Sequence, residues 1–332
     1  MDIINRHFTP IIQNNDNLFF SLVDYRNNLY MADKKEDLER FYDSFRNRDQ
    51  LIGWMRERPK GHAGIHEFLG NKDIVVVIPT SDVNGKFALE CRNSIFKGLQ
   101  IIFVESGEVK DFYFNYAYNC NIGVKHALRY HPKWIVLSND DVYKIDEVSA
   151  LVRELNKIDE KTYNSVFTIP SRYHSYRTTI GEPRLIFYNL LYPILGRKIY
   201  LENKANNIRK YLKKFNVKTT LFWPTRKLLK LLLFKRSHSF TMTSAFSIFS
   251  SQFVIDNNSK VFDETFINGV EDWLLSLNLS RDPEHNAIIN YRIGDYIGST
   301  FNQQGGDIRN LRNLVNLVYL DSILDLSDNI LK

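Results

Sequence analysis

The chain has 332 residues, of which 44% are hydrophobic and 25% are charged, with a formal net charge of +6 at pH 7. This composition is typical of a folded globular protein and excludes disordered, collagen-like and coiled-coil classes. Two cysteines, Cys91 and Cys120, are too few for a disulfide-stapled scaffold or a cysteine-rich zinc module, and they indicate a reducing compartment. The first residues lack the basic-then-apolar layout of a signal peptide, so we expect a cytoplasmic protein.

Apolar side chains recur at helical spacing in residues 35–42 and 51–55, and we predict a helical N-terminal region over residues 1–70 with a supporting role. Three β-branched runs follow, at residues 73–80, 99–104 and 134–138, and each is typical of a strand buried on both faces. A helical apolar stripe at residues 115–130 separates the second run from the third. Strands that alternate with helices predict an α/β fold whose ligands bind beyond the carboxyl ends of the strands.

Polar residues follow each predicted strand, where such ligands would bind. The first strand ends in Pro79 and Thr80, the second in Glu105, and the third in Asn139-Asp140-Asp141. No glycine-rich dinucleotide motif and no P-loop follows the first strand, which argues against a nicotinamide dehydrogenase or a P-loop enzyme.

These strand ends belong to a longer series of motifs that resembles glycosyltransferase family 2, whose members have the GT-A fold. The series continues through residues 119–123, the Asp-x-Asp-like turn at 139–141, the Phe-Asp-Glu at 262–264, Glu271-Asp272, and a weaker tail pattern at 296–299 and 312–313. The resemblance covers residues 73–170 and 240–315. It implies a Rossmann-like nucleotide-diphospho-sugar transferase fold, with a mostly parallel sheet and helices on both faces.

With this resemblance, the chain divides into five predicted regions. The helical N-terminal region at 1–70 is followed by a nucleotide-sugar-binding half at 71–170 and a basic helical insert at 171–240. An acceptor-side half at 241–300 and a helical tail at 301–332 complete the chain.

The resemblance also implies roles for individual residues. Asp141 and Asp295 are the expected ligands of Mn²⁺ or Mg²⁺, although Asp295 stands where many members carry a histidine. Asp272 is the expected general base of an inverting displacement, and Glu271 would orient the acceptor. The expected contacts to the nucleotide-sugar donor are Pro79, Thr80, Glu105, Asn121, Gly123, Asn139 and Asp140.

Each of these motifs has a structural alternative when it is taken alone. Asn139-Asp140-Asp141 is also a common turn or helix-capping sequence. Asn121 and Gly123 could equally cap a helix, and Glu105 and Thr80 could be solvated loop residues. The charges of Glu271 and Asp272 are favourable at a helix start regardless of catalysis.

The basic charge of the chain is concentrated between residues 197 and 236, where thirteen Lys or Arg face one acid, Glu202. This segment therefore carries +12, and the remaining residues carry −6. Its mixture of leucines, aromatics and cations at 223–236 predicts an amphipathic helix on an anionic membrane surface. The alternative is a solvated basic face whose leucines pack on the protein. Nucleic-acid binding ranks last, because no nucleic-acid-binding signature accompanies the charge.

We therefore expect a hexosyltransferase-type enzyme that moves a sugar from a nucleoside-diphosphate sugar to a hydroxyl of a glycan or lipid-linked acceptor. It would be cytoplasmic, with a peripheral position on the inner membrane face if the basic segment meets lipid. The alternative from another class is a non-catalytic GT-A-like binding or membrane-scaffold protein, in which Asn139 marks a lost metal site.

Overall fold

The computed structural model of the chain describes residues 25–107, 111–169, 175–184, 206–222, 231–296 and 306–326. The strands in these ranges are β1 (Gly64–Phe68), β2 (Asn71–Thr80), β3 (Leu99–Glu105), β4 (Trp134–Ser138), β5 (Val142–Lys144), β6 (Ser165–Phe167), β7 (Tyr176–Pro183), β8 (Thr220–Phe222), β9 (Phe234–Met242), β10 (Phe246–Ser250), β11 (Asn286–Ile288) and β12 (Ile293–Asp295). The α-helices are α1 (Lys35–Asp43), α2 (Arg48–Glu57), α3 (Lys86–Glu90), α4 (Tyr116–Ala127), α5 (Val148–Leu155), α6 (Asn206–Lys214), α7 (Ser251–Asp256), α8 (Glu271–Leu279) and α9 (Gly306–Leu326).

The central sheet has seven strands in the order β1-β3-β2-β4-β10-β6-β11. β2 pairs in parallel with β3 and with β4, and β6 pairs in parallel with β11. β10 runs antiparallel to both β4 and β6, and β1 runs antiparallel to β3. Five strands thus point one way and two the other, which confirms an α/β fold with a mostly parallel sheet.

The sheet is covered by helices on both faces, as predicted. Ile74, Val76 and Ile78 of β2 belong to one buried core, which also receives side chains of α3 and α5. Val75 and Val77 alternate with them and belong to the opposite core, which receives side chains of α4, α7 and α8. The β-branched run is therefore buried on both faces, because successive side chains of a strand point to opposite sides.

A third core joins segments that are far apart in the chain. It contains buried side chains of α1, α2, α6 and α9, including Tyr42, Tyr211 and Leu314, and also Phe215 directly after α6. The Tyr42 hydroxyl donates a hydrogen bond to the Leu311 carbonyl of α9 and accepts one from the Val315 amide at 3.0 Å. Parts of the predicted N-terminal region, basic insert and tail therefore pack as one unit beside the sheet.

Two expectations of helical structure were wrong in part. The N-terminal region ends in a strand, because residues 64–68 pair antiparallel with β3 along the edge of the sheet. The insert contains a three-stranded antiparallel sheet in the order β8-β7-β9. Residues 223–230 of the predicted membrane helix lie outside the described residues, and its last three residues, 234–236, begin β9, which hydrogen-bonds along β7.

Several cations of the basic segment have acidic partners within the protein. Lys210 lies 3.0 Å from Asp43, and Lys235 lies 3.0 Å from Glu182. Attachment of this segment to an anionic membrane stays a prediction. In the described ranges, we find no helix with the length and the apolar character that crossing a lipid bilayer requires.

Candidate functional site

A cavity of about 470 Å³ opens beyond the carboxyl ends of β2, β3 and β4. Eight of the eleven side chains singled out in the sequence line it: Pro79, Thr80, Asn139, Asp140, Asp141, Glu271, Asp272 and Asp295. The cavity thus brings together the turn after β4 and the carboxylate pair at the start of α8, which are more than 120 residues apart in the chain.

The turn after β4 is held by the end of β2. The Thr80 hydroxyl donates to Asp140 Oδ2 at 2.7 Å, and the Asn139 amide donates to the Ala245 carbonyl at 2.8 Å. Burial raises the pKa of Asp140 to about 6, and the neighbouring charge of Asp141 adds to this rise, whereas the Thr80 hydrogen bond opposes it. The negative charges of Asp140 and Asp141 thus repel each other, which disfavours the ionised form of Asp140.

Asp295 reaches the same end of the cavity through a small two-stranded sheet. β12 pairs antiparallel with β5, so that Asp295 lies opposite Val142, and the Tyr296 amide donates to the Asp141 carbonyl at 2.9 Å. Burial raises the pKa of Asp295 to about 6, and the charge of Asp141 raises it further. Asp141 therefore acts electrostatically on both Asp140 and Asp295, and all three residues line the cavity.

The other end of the cavity is formed by the first turn of α8. Burial raises the pKa of Glu271, and burial together with the charge of Glu271 raises the pKa of Asp272. Glu271 Oε2 accepts a hydrogen bond from the Gly269 amide at 2.7 Å. The residue before the helix, Val270, has φ of +72°, a strained conformation for a β-branched side chain. Glu271 and Asp272, which follow this residue, both line the cavity.

Tyr116, the first residue of α4, connects the two ends. Its hydroxyl donates to Asn139 Oδ1 at 2.7 Å, and its backbone amide donates to Asn268 Oδ1 at 2.7 Å. Burial raises the pKa of its phenol, and the charges of Glu271 and Asp272 contribute to that rise. Tyr116 therefore lies between the turn after β4 and the start of α8.

Three predicted donor contacts are not part of the cavity lining. Glu105 Oε1 accepts from the Val83 amide at 2.8 Å, and its Oε2 lies 3.0 Å from His66 Nε2. The Asn121 side chain accepts from the Val261 and Phe262 amides at 2.9 and 3.1 Å. It also donates to the Phe262 carbonyl and to Glu264 Oε1. Its hydrogen-bonding capacity is thus filled by the protein.

Gly123 is the third of these residues, and it faces the sheet. A Cβ at this position would lie 2.4 Å from Val77 Cγ1 and 2.6 Å from Val104 Cγ2. The absence of a side chain here lets α4 approach β2 and β3 closely, and this approach sets the position of Tyr116 at the end of the same helix.

The cavity also contains residues that the sequence motifs did not reveal. Tyr30 and Met31 come from the N-terminal region, which was expected only to support the fold, and Arg309 comes from α9. Tyr116 and Asn268 were inside or beside recognised motifs but had no assigned role. No local pattern marks these residues, because long-range packing brings them to the site.

The acid-rich end of the cavity suits a divalent cation that is shared with a ligand. Among the residues with described positions, no group of three or more His, Cys, Asp or Glu is arranged to hold a metal by itself. Mg²⁺ commonly binds through one or two carboxylates together with substrate phosphates, and Asp141 and Asp295 could supply such a pair. A bound cation would also lower the pKa values of Asp140 and Asp295, which burial and the charge of Asp141 raise.

No family model matches this chain, and no curated protein matches it.

Proposed function

We propose that this protein is a glycosyltransferase with a GT-A fold, which moves a sugar from a nucleoside-diphosphate sugar to an acceptor hydroxyl. The observation that carries the proposal is that Asp141 and Asp272 line the same cavity. The resemblance described above implies that Asp141 is a ligand of the metal ion at the donor and that Asp272 is the general base at the acceptor. A cavity of about 470 Å³ lies in the usual range for small-molecule sites.

The carboxylate pair of α8 supplies the base. In an inverting displacement, Asp272 accepts the proton of the acceptor hydroxyl as its oxygen attacks the anomeric carbon, and the bond from that carbon to the diphosphate oxygen breaks. A raised pKa makes the Asp272 carboxylate a stronger base than an exposed one. Glu271, fixed by the Gly269 amide, orients the acceptor.

The end of the cavity that would bind the donor is formed by β12 and by the turn that follows β4. Asp141 and Asp295 would hold Mn²⁺ or Mg²⁺ with the donor phosphates, and the cation would stabilise the negative charge of the departing diphosphate. Thr80, Asn139 and Asp140 line the same end and would contact the nucleotide part of the donor.

The test is release of nucleoside diphosphate from a panel of nucleoside-diphosphate sugars, with neutral and acidic monosaccharides as acceptors and Mn²⁺ present. We expect Asp272→Asn to lower kcat by about 100-fold or more, because general bases commonly contribute that much. Asp141→Asn should lower the rate similarly and should shift the dependence on Mn²⁺ to higher concentrations. Asp256→Asn is a matched control, because this exposed residue of α7 lies outside the cavity.

Two results would contradict the proposal. The first is a wild-type protein that binds nucleotide sugars in calorimetry but turns over none of the panel; this would favour the non-catalytic binding protein. The second is a turnover that Asp272→Asn and Asp256→Asn leave equally unchanged, because the carboxylate pair would then have no part in the reaction.

A further inference from the structure

The cavity has an aromatic side as well as its acids. The residues of this side are Tyr30, Met31, Phe114, Tyr116 and Phe262. The rings of Tyr30 and Phe114 lie 5.5 Å apart between centroids and are inclined at 45°. Metal binding and proton transfer use the acids and leave this side without a task. Aromatic side chains that line a binding site supply contact area for apolar parts of a ligand.

Tyr30 is held in the cavity lining by neighbours that are anchored in a core. Leu29 and Ala32, on either side of Tyr30 and Met31, are buried in the core shared by α1, α2, α6 and α9. The Arg312 side chain of α9 also donates a hydrogen bond to the Ala32 carbonyl. The two residues between these anchors therefore have little freedom to leave the cavity.

Phe114 belongs to a loop that a buried arginine fixes. The Arg58 side chain is only 3% exposed, and it donates hydrogen bonds to the carbonyls of Phe112, Tyr113 and Phe114. One guanidinium thus binds three consecutive carbonyls, which holds this loop in one conformation before any ligand is present. A surface that is already ordered loses less conformational entropy when it binds a ligand.

Asn268 links this loop to the segment that leads into α8. Its Nδ2 donates to the Phe114 carbonyl at 3.1 Å, and its Oδ1 accepts from the Tyr116 amide at 2.7 Å. The next residue, Gly269, donates its amide to Glu271 Oε2 at 2.7 Å. The backbone that carries Phe114 therefore adjoins the segment that carries the carboxylate pair proposed to serve the acceptor.

We propose that the rings of Tyr30 and Phe114 bind the acceptor by stacking, and hence that the acceptor is a pyranose sugar that presents a face of C–H groups. The face of an aromatic ring is electron-rich, so it attracts the slightly positive C–H hydrogens of a sugar face, and the contact removes both surfaces from water. Glu271 and Asp272 would bind the hydroxyls at the edge of the same sugar. The assignment to the acceptor rests on the proposed function. Stacking of the donor's nucleobase on these rings is the competing outcome, which the test separates.

The acceptors in the test are methyl β-glucoside, methyl β-galactoside and methyl β-mannoside. Sorbitol is the control, because it carries hydroxyls but no ring. For at least one pyranoside, kcat/KM of the wild-type protein should be about 10-fold or more higher than for sorbitol, because a rigid ring matches an ordered surface without losing its own flexibility.

Four variants locate the contact. Tyr30→Ala and Phe114→Leu should each raise the KM for the preferred pyranoside by about 5-fold and leave kcat within about twofold, as expected for the loss of one aromatic contact. Tyr30→Phe keeps the ring and should leave the KM unchanged. Tyr118→Ala is the matched control and should also leave it unchanged, because this half-buried residue of α4 lies outside the cavity lining. Since Tyr30→Ala and Phe114→Leu alter different segments, either one decides the test if the other fails to fold.

Three outcomes would overturn the inference. The wild-type protein could use sorbitol as well as every pyranoside. Tyr30→Ala and Phe114→Leu could leave the KM for the preferred pyranoside unchanged. Either variant could instead weaken the binding of nucleoside diphosphate with Mn²⁺ in calorimetry, which would assign the rings to the nucleobase.

Failure of the proposed function gives a different signature, because the wild-type protein would then release no nucleoside diphosphate with any acceptor. In that case, saturation-transfer NMR with the same pyranosides tests the stacking surface by itself. Saturation of the C–H protons on one ring face that Phe114→Leu removes supports the surface. No saturation of any pyranoside, or saturation that Phe114→Leu leaves unchanged, refutes it.

Discussion

Gly123 lies in the middle of α4, where a methyl group has no space. Its Cβ would approach Val77 Cγ1 to 2.4 Å and Val104 Cγ2 to 2.6 Å. Both valines are fully buried in adjacent strands, so neither can move aside. Alanine at this position must therefore push α4 away from the sheet or force the valines out of their rotamers.

The expected size follows from two opposing effects. Overpacking a dense core costs about 1–3 kcal/mol, whereas replacing a helical glycine by alanine gains about 1 kcal/mol. We expect Gly123→Ala to lower the free energy of unfolding by about 1–2 kcal/mol. Gly53 of α2 is the matched control, because a Cβ there would meet nothing within 4 Å. Gly53→Ala should raise the free energy of unfolding by about 0.5–1 kcal/mol.

Urea unfolding of both variants, followed by circular dichroism and by the fluorescence of buried tryptophans such as Trp134, measures these changes. If Gly123→Ala lowers the free energy of unfolding and Gly53→Ala raises it, the contact of Gly123 with the sheet explains the difference. If Gly53→Ala is stabilising and Gly123→Ala is equally so, α4 does not lie against β2 and β3 at the distance described. The position of Tyr116 in the cavity would then lose its basis.

Three further changes probe the cavity itself. Asp140→Asn should unfold at the same urea concentration as the wild type near pH 4. At pH 8 it should be about 2 kcal/mol more stable, because the raised pKa of Asp140 costs the folded state stability as pH rises from 3.8 through about 6. Millimolar Mn²⁺ should raise the melting temperature by about 2 °C in a thermal scan of the wild type and should have no effect on Asp141→Asn. Tyr116→Phe, which removes the hydrogen bond to Asn139 Oδ1, should lower the free energy of unfolding in urea by about 1 kcal/mol. An unchanged value would mean that this hydrogen bond does not stabilise the folded state.

The sequence was most informative where local patterns and burial coincide. The runs at 73–80, 99–104 and 134–138 were correctly predicted as β2, β3 and β4, because a strand covered on both faces needs a continuous apolar sequence. The helix at 115–130 was also correct, since its apolar stripe faces β2 and β3. The polar residues predicted after β2 and β4 meet in the cavity because parallel strands end at the same edge of the sheet, whereas Glu105 of β3 lies outside the lining.

Local patterns failed where partners are distant. β1 has only five residues, and its pairing with β3 is not visible in its own sequence. The insert was predicted to be helical, with its high positive charge as the main observation. Its strands β7 and β9 were missed because they pair with each other across more than fifty residues. Arg309 and Tyr30 reach the cavity through the packing of α9 and the N-terminal region, and no motif surrounds either residue.

The shared core of α1, α2, α6 and α9 affects how this chain can fold as it is synthesised. Tyr42 hydrogen-bonds to residues about 270 positions later, so the contacts between α1 and α9 form only after α9 has left the ribosome. During that interval the part of this core that α9 covers is exposed to other molecules, and a chaperone that shields it would improve the yield of native protein.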